Sequence, residues 1–402
     1  MKKILITMLI SLGAVALMAG DFSEAMKSGK VGFDLRYRFE TVDQNGYENQ
    51  AEAHTLRLRL GYTTAAYKGF QFHVDLETIQ SPFNEVFDTN YNSTNNGKAD
   101  YPVIADPKGT ELNQAYFTYT GFNNSIFKVG RQRIIIDNAR FIGNVGWRQN
   151  EQTFDAYTYV FTGIENGTLI VSNVQRVNRI FGEYNDNPLK ANLDSNADVI
   201  HYNHKFAAAS VSVYGHFIEL QDEALVGASH KNLGFRITGS TEKLIYALEF
   251  ANQSDYKDGS NHIDADYMLA ELGAKVGKWT LKGGYEVLGG DGTYAFSTPL
   301  ATLHAFNGWA DKFLGTPVNG LVDLYFMMST KVTAGTYPLV FKAFYHNFQS
   351  DNASIDYGTE FDAIFKLVLS KKACLVFRFA DYNADDFATD TTKIWLMGGY
   401  KF

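Results

Sequence analysis

The sequence predicts an all-β protein: a transmembrane, antiparallel, up-and-down β-barrel of about 18 strands, with about 16 as the alternative count. Three observations predict it. Apolar and polar residues alternate with period two along nearly the whole chain, the mark of strands with one apolar and one polar face. The alternating segments run about ten residues and are joined in turn by short turns and long polar loops, the asymmetry of a membrane barrel. The chain also ends on an alternating aromatic strand, with Phe402 its last residue. Composition agrees: 31 Phe and 24 Tyr against only 7 Pro in 402 residues suit strands rather than helices.

Residues 1–20 read as a leader. Lys2 and Lys3 form a positive start, Ile4 to Met18 an apolar core, and the small residues Ala19 and Gly20 precede Asp21, the pattern of a secretory signal peptide. Residues 21–402 then form one barrel domain. The stretch is shorter than the ~20 residues of a spanning helix. The single Cys374 excludes a disulfide framework. A formal charge of −8 excludes the basic field that nucleic acid demands.

The first strand is the clearest. In 30–41, Val31, Phe33, Leu35, Tyr37 and Phe39 share one face; Gly32, Asp34, Arg36, Arg38 and Glu40 share the other. The same reading places strands at 54–64, 69–79, 111–120, 125–134, 153–162, 167–177, 197–205 and 208–218. It continues at 231–239, 243–252, 264–275, 278–288, 321–332, 338–348, 357–369, 373–382 and 391–402. Ten residues at ~3.3 Å rise and 45° tilt climb roughly 24 Å, the height of an outer-membrane apolar band. Segments 111–120, 153–162 and 197–205 alternate least well. Long loops fall at 42–53, 80–110, 135–152, 178–196, 219–230, 253–263, 289–320, 349–356 and 383–390. Of these, 80–110 and 289–320 are the longest. The former, with Phe83, Phe87 and Tyr91, either folds into the lumen or lies outside.

A barrel of this size encloses a channel unless loops fold inward, so the inward face carries the functional candidates. Arg36, Arg38, Arg57 and Arg59 stand side by side, with Arg378, Lys393 and Lys401 across the closing seam. Asp75 and Glu77 on one side and Glu360 and Asp362 on the other provide acids. Facing charges set a transverse field that orients polar solutes. The alternative is ordinary cross-strand pairing of solvated residues.

Residues 130–155, GRQRIIIDNARFIGNVGWRQNEQTFD, resemble the alginate-export family of outer-membrane barrels. The likeness is carried by Gly130-Arg131-Gln132, Arg140, Gly143, Trp147-Arg148-Gln149 and Gln152-Thr153-Phe154-Asp155. That resemblance implies an 18-stranded monomeric barrel and an arginine-lined anion path, to which Arg131, Arg133, Arg140 and Arg148 would contribute. Alternatively, Gly130 and Gly143 serve tight turns, and Arg140 or Arg148 pins a loop to wall carboxylates such as Asp155.

No catalytic motif surrounds any of the nine histidines, and no cofactor is called for. Asp255, Asp258, Asp264 and Asp266 either hold Ca²⁺ or form a solvated loop. Two functions stand: a channel for small polar or anionic solutes, and a conduit exporting an anionic polysaccharide such as alginate. A structural or adhesive barrel is the third. The expected setting is the outer membrane of a Gram-negative bacterium. The partners would be its lipid and lipopolysaccharide, the barrel-assembly machinery and the solute.

Overall fold

Each alternating segment has one face for lipid and one for the lumen, so burying both requires a closed sheet. The computed structural model describes residues 19–83, 86–89 and 98–402. The leader lies outside these residues except Ala19 and Gly20, as does Tyr91.

The strands are β1 (Lys30–Gln44), β2 (Ala51–Thr63), β3 (Phe70–Gln80), β4 (Gly109–Tyr119), β5 (Ser125–Gln132) and β6 (Thr153–Phe161). Then come β7 (Gly167–Asn178), β8 (Asn192–Lys205), β9 (Ala209–Ile218), β10 (His230–Ser240), β11 (Leu244–Asp255) and β12 (Asp264–Val276). The last six are β13 (Trp279–Leu288), β14 (Leu321–Ala334), β15 (Tyr337–Gln349), β16 (Asp356–Val368), β17 (Ala373–Ala384) and β18 (Thr391–Lys401). Each pairs antiparallel with its sequence neighbour, and β18 pairs back onto β1, with Asp34 opposite Lys401 and Gln44 opposite Thr391. Eighteen strands therefore close the barrel.

The outward rows are apolar and exposed, as lipid requires: Leu60, Leu76, Phe117, Leu272, Leu324 and Leu396 are examples. Aromatic pairs gather near the short turns. Phe33 stacks on Phe402 at 5.3 Å, and Phe70 meets Tyr119 at 4.5 Å. A short helix, α1 (Ala19–Lys27), lies at this rim, its Phe22 edge-on to Tyr67.

Several strands extend further at the loop end than alternation predicts. β2 starts at Ala51 rather than 54, β8 at Asn192 rather than 197, and β11 runs to Asp255 rather than 252. There the polarity inverts. Ala51 and Ala53 in β2, and Leu193, Ala197 and Val199 in β8, are buried, while Asp194 and Asp198 on the alternate positions face outward. The cause is a lumen filled by loops. Phe87 and Ile104 of the 80–110 loop pack on Val42, Ala51 and Ala53, so its described part folds inward. A larger apolar cluster joins Ile134, Phe141, Phe296, Trp309 and Phe313 from loops to Phe154, Val174, Tyr267, Phe348 and Trp395 from the wall.

Gly130 is no turn residue. It lies within β5 at φ +120°, where an added Cβ would come within 2.3 Å of the Ala115 carbonyl oxygen on β4. A Gly130→Val chain is expected to lose about 1–3 kcal/mol through backbone strain and broken β4–β5 pairing. The check is the temperature at which its folded form disappears from a heat-modifiability gel, which should fall.

Candidate functional site

Antiparallel register puts Arg36 directly opposite Arg57, and Asp34 opposite Arg59. Like charges opposed on one face destabilise a sheet unless something neutralises them. The segment between β5 and β6 does so. It turns into the lumen, and its backbone carbonyls face the wall. Arg36 donates to the carbonyls of Gly146 (3.1 Å) and Arg148 and to Gln149 Oε1 (2.8 Å). Arg38 donates to the Trp147 carbonyl and to Asp106 Oδ2 at 2.8 Å. Arg57 and Arg59 each reach the Gln149 carbonyl at 3.3 Å. Carboxylates complete three of the four: Asp34 on Arg57 at 2.6 Å, Glu77 and Glu151 on Arg59, and Asp106 on Arg38. Among the described residues, Arg36 has no bonded carboxylate.

Three strands round the wall from β1, β16 holds a second inserted loop, within 289–320, by the complementary chemistry. Glu360 accepts from the Ala310 amide at 2.7 Å, and Asp362 from the Trp309 amide at 3.2 Å. Basic wall thus binds carbonyls, and acidic wall binds amides. The loops also join each other. Arg148 spans from Glu40 (3.3 Å) to Asp311 (2.9 Å), and Lys393 also reaches Asp311 at 2.9 Å. Trp147 stacks on His304 at 4.8 Å and meets Trp395 edge-on. Burial brings His304 down to about 3, so the neutral ring donates its Nδ1 proton to Asp311 at 2.5 Å. Arg378 lies over Trp309 at 3.3 Å and over Trp147 at 4.3 Å. It is a cation held by π faces.

These positions correct several expectations. The arginines at 36, 38, 57 and 59 do not form a bare wall; they are the socket of a loop. Arg140 and Arg148 are loop pins, but on Glu286 (2.8 Å) and Glu40 rather than on Asp155. Arg131 is not pore-lining. Phe154 and Ala156 are buried inward, so Asp155 between them points out, and Arg131 meets it on the outer face at 2.9 Å. There Arg131 also caps the Leu112 carbonyl at 3.0 Å, where β5 has ended and β4 runs on alone. Asp75 and Glu77 bind Arg133 and Arg59. Gly143 is a close approach: a Cβ would meet Ala139 of its own loop at 2.6 Å and Thr302 of the facing loop at 3.0 Å. No group of three metal-ligating side chains converges among the described residues.

What remains open includes a cavity at each mouth, besides one of about 240 Å³ beside the 289–320 loop that sets Glu271, Glu286 and Asp323 against Arg236 and Lys282. The one on the long-loop side, about 590 Å³, is lined by Arg148, Lys312 and Lys393 with Asp311 as its acid. The other, about 440 Å³, opens on the short-turn side. It presents Arg59, Arg133, Lys371, Lys372 and Lys401 against Asp34 and Asp75. The cavities share no lining residue. Between them stands Gly146–Gln149: the Arg148 side chain faces the first cavity, while the Gln149 carbonyl rests on Arg59 of the second.

Residues 27–285 match the family described as alginate export, more than half of the chain. The chain belongs to the alginate-export family. Its barrel sits in the outer membrane, and the fold is that of solved bacterial porins. It is similar to OccK3 (OpdO) of Pseudomonas aeruginosa at TM-score 0.70 and 16% identity, covering 95% of this chain and 97% of that one. OpdK of the same organism, solved also with vanillate, superposes at TM-score 0.71 with 12% identity, covering 94% and 99%. OccAB4 of Acinetobacter baumannii gives 0.68 with 13% identity, covering 93% and 98%. No curated protein sequence matches the chain.

Lys312 gives this alginate-export member a pH signature. Burial, with Lys393 alongside, brings its ammonium down to about 8. The group is charged below that pH and neutral above it. Anion preference should therefore fall as pH rises from 7 to 9, measured as reversal potential across a KCl gradient. A Lys312→Arg chain should hold its preference over the same range.

Proposed function

We propose that the chain is a passive outer-membrane channel for small polar and anionic solutes. The observation that carries this reading is the charge of the two cavities. Cations outnumber acids three to one on the long-loop side and five to two on the short-turn side. Such mouths concentrate anions before any narrow step. Guanidinium and ammonium groups also suit carboxylates. Vanillate, seen with OpdK, is a small carboxylate of the kind these mouths would admit.

Export of a polysaccharide is the less favoured reading. A polymer needs a continuous bore, and here two loops meet across the lumen through Arg148, Asp311 and Trp147. The outward apolar rows would contact lipid, with lipopolysaccharide in the outer leaflet. The terminal β18 strand would be read by the barrel-assembly machinery after a signal peptide is cleaved near residue 20. Neither solute passage nor any residue role requires a cofactor.

The test is single-channel recording of refolded protein in planar bilayers under a KCl gradient, with and without an oligo-uronate. Anion-selective current indifferent to the oligomer is expected, and block by it would favour the polysaccharide path. Lys371→Glu with Lys372→Glu, at a turn outside the loop contacts, should lower anion preference by about twofold through the loss of mouth potential.

A further inference from the structure

The geometry points to Arg36 as the carboxylate-reading residue of a gate that the solute itself opens: an incoming carboxylate replaces the Gly146–Gln149 carbonyls on Arg36. This rests on the channel function proposed above. Three observations lead to it.

The first is a charge deficit. Arg36 is a cation whose bonds all go to neutral oxygens, two backbone carbonyls and the Gln149 amide. A carboxylate brings a full opposite charge and a bidentate match to the guanidinium fork, neither of which a neutral carbonyl supplies. The closed lumen therefore leaves its own cation with the weaker class of partner, and a permeant carboxylate supplies the stronger one. The second is a vacant donor. Arg57, opposite Arg36 in register, is buried with its Nε lacking any hydrogen-bond partner. A carboxylate at Arg36 would have this second donor beside it.

The third is position. The Arg148 side chain lines the outer cavity, while its own carbonyl is bonded to Arg36. One residue of backbone separates the mouth where anions collect from a cation that bonds no carboxylate. The loop is also poised to move. Val145, a β-branched residue at φ +48°, begins the segment, and such a conformation persists only while its surroundings enforce it. Removing the Arg36 bonds removes part of that enforcement. Solutes without an anionic group cannot make the exchange, so selection occurs at the gate and not only at the mouths.

The experiment uses the full chain refolded in planar bilayers, with acetate as the probe and glucose as the neutral control. Acetate is expected to raise open probability saturably, by about tenfold, the equivalent of one strengthened charge-assisted bond. Glucose should not. Arg36→Gln should be open more often without acetate and should lose the acetate response. Arg36→Lys keeps the charge but loses the fork that holds the carbonyls, and should respond to acetate more weakly than the parent. Folding of each variant is read from heat-modifiable gel mobility. If Arg36→Gln fails to fold, Arg36→Lys decides. An acetate response that survives in Arg36→Gln, or one of parental strength in Arg36→Lys, overturns the gate. Anion-selective current that ignores acetate also overturns it while leaving the channel function standing. Cation selectivity in the parent chain would instead overturn the channel reading itself.

Discussion

Arginine side chains cannot crowd a closed lumen without oxygen to receive their N–H groups, and here the inserted backbone supplies much of it. With Arg36 and Arg57 directly opposed and Arg38 and Arg59 beside them, β1 and β2 would repel each other. Glu77, Asp34 and Asp106 answer part of the charge; the carbonyls of Gly146 to Gln149 answer the rest. To bring those carbonyls across, the chain must leave the wall early. That is why β5 ends at Gln132 while β4 runs on. Arg131 then bonds the exposed Leu112 carbonyl beside the shortened strand. The short strand, the outward arginine and the filled lumen follow from one electrostatic demand.

The second wall repeats the logic with the sign reversed. Glu360 and Asp362 sit on alternate positions of β16, both inward, and two acids so placed need donors. They take the amides of Trp309 and Ala310. Each inserted loop thus presents to its wall the backbone pole that the wall lacks. The cost appears as strained backbone: Asp137, Ala139 and Val145 in one loop, and Leu303, Asn307 and Asp311 in the other, all have positive φ. Non-glycine residues hold that region only when surrounding contacts over-determine them. Here the surroundings are buried ion pairs, whose loss of one partner costs about 3–5 kcal/mol, enough to offset several such strains.

Period two made the barrel legible: all eighteen segments appear, including 111–120, 153–162 and 197–205, where alternation is faintest. The strand ends were less legible because alternation assumes a wet lumen. Once Phe87, Ile104 and Phe141 enter, inward positions such as Ala51, Ala197 and Val199 become core, and the polarity pattern inverts. The inserted loop itself had a signal. Residues 134–147 carry Ile134, Ile136, Phe141, Ile142, Val145 and Trp147, too apolar for a loop facing water. Length instead drew attention to 80–110 and 289–320. Alternation puts Arg36, Arg38, Arg57, Arg59 and Arg378 on the face that meets the loops, whereas Arg131 points out, its parity depending on where β5 sits in register. What no spacing rule could reveal is their partner, since backbone carbonyls are present in every loop and leave no mark in the sequence.

The division of labour between wall and loops bears on selectivity. A barrel of eighteen strands would be wide enough for bulk flow, and fixed wall charges in so wide a bore would be screened within about 8 Å of each side at physiological salt. Inserting loops narrows the path below that length, but it also consumes the wall charge, because Arg38, Arg57, Arg59, Glu360 and Asp362 now serve the loops. The charge left for solutes therefore resides where the loops and turns end: Lys312 outside, and Lys371, Lys372 and Lys401 inside. Selectivity in such a channel is set by residues that hold the loops only loosely or not at all. Wall substitutions would act first on whether the path exists, and only then on which ion takes it.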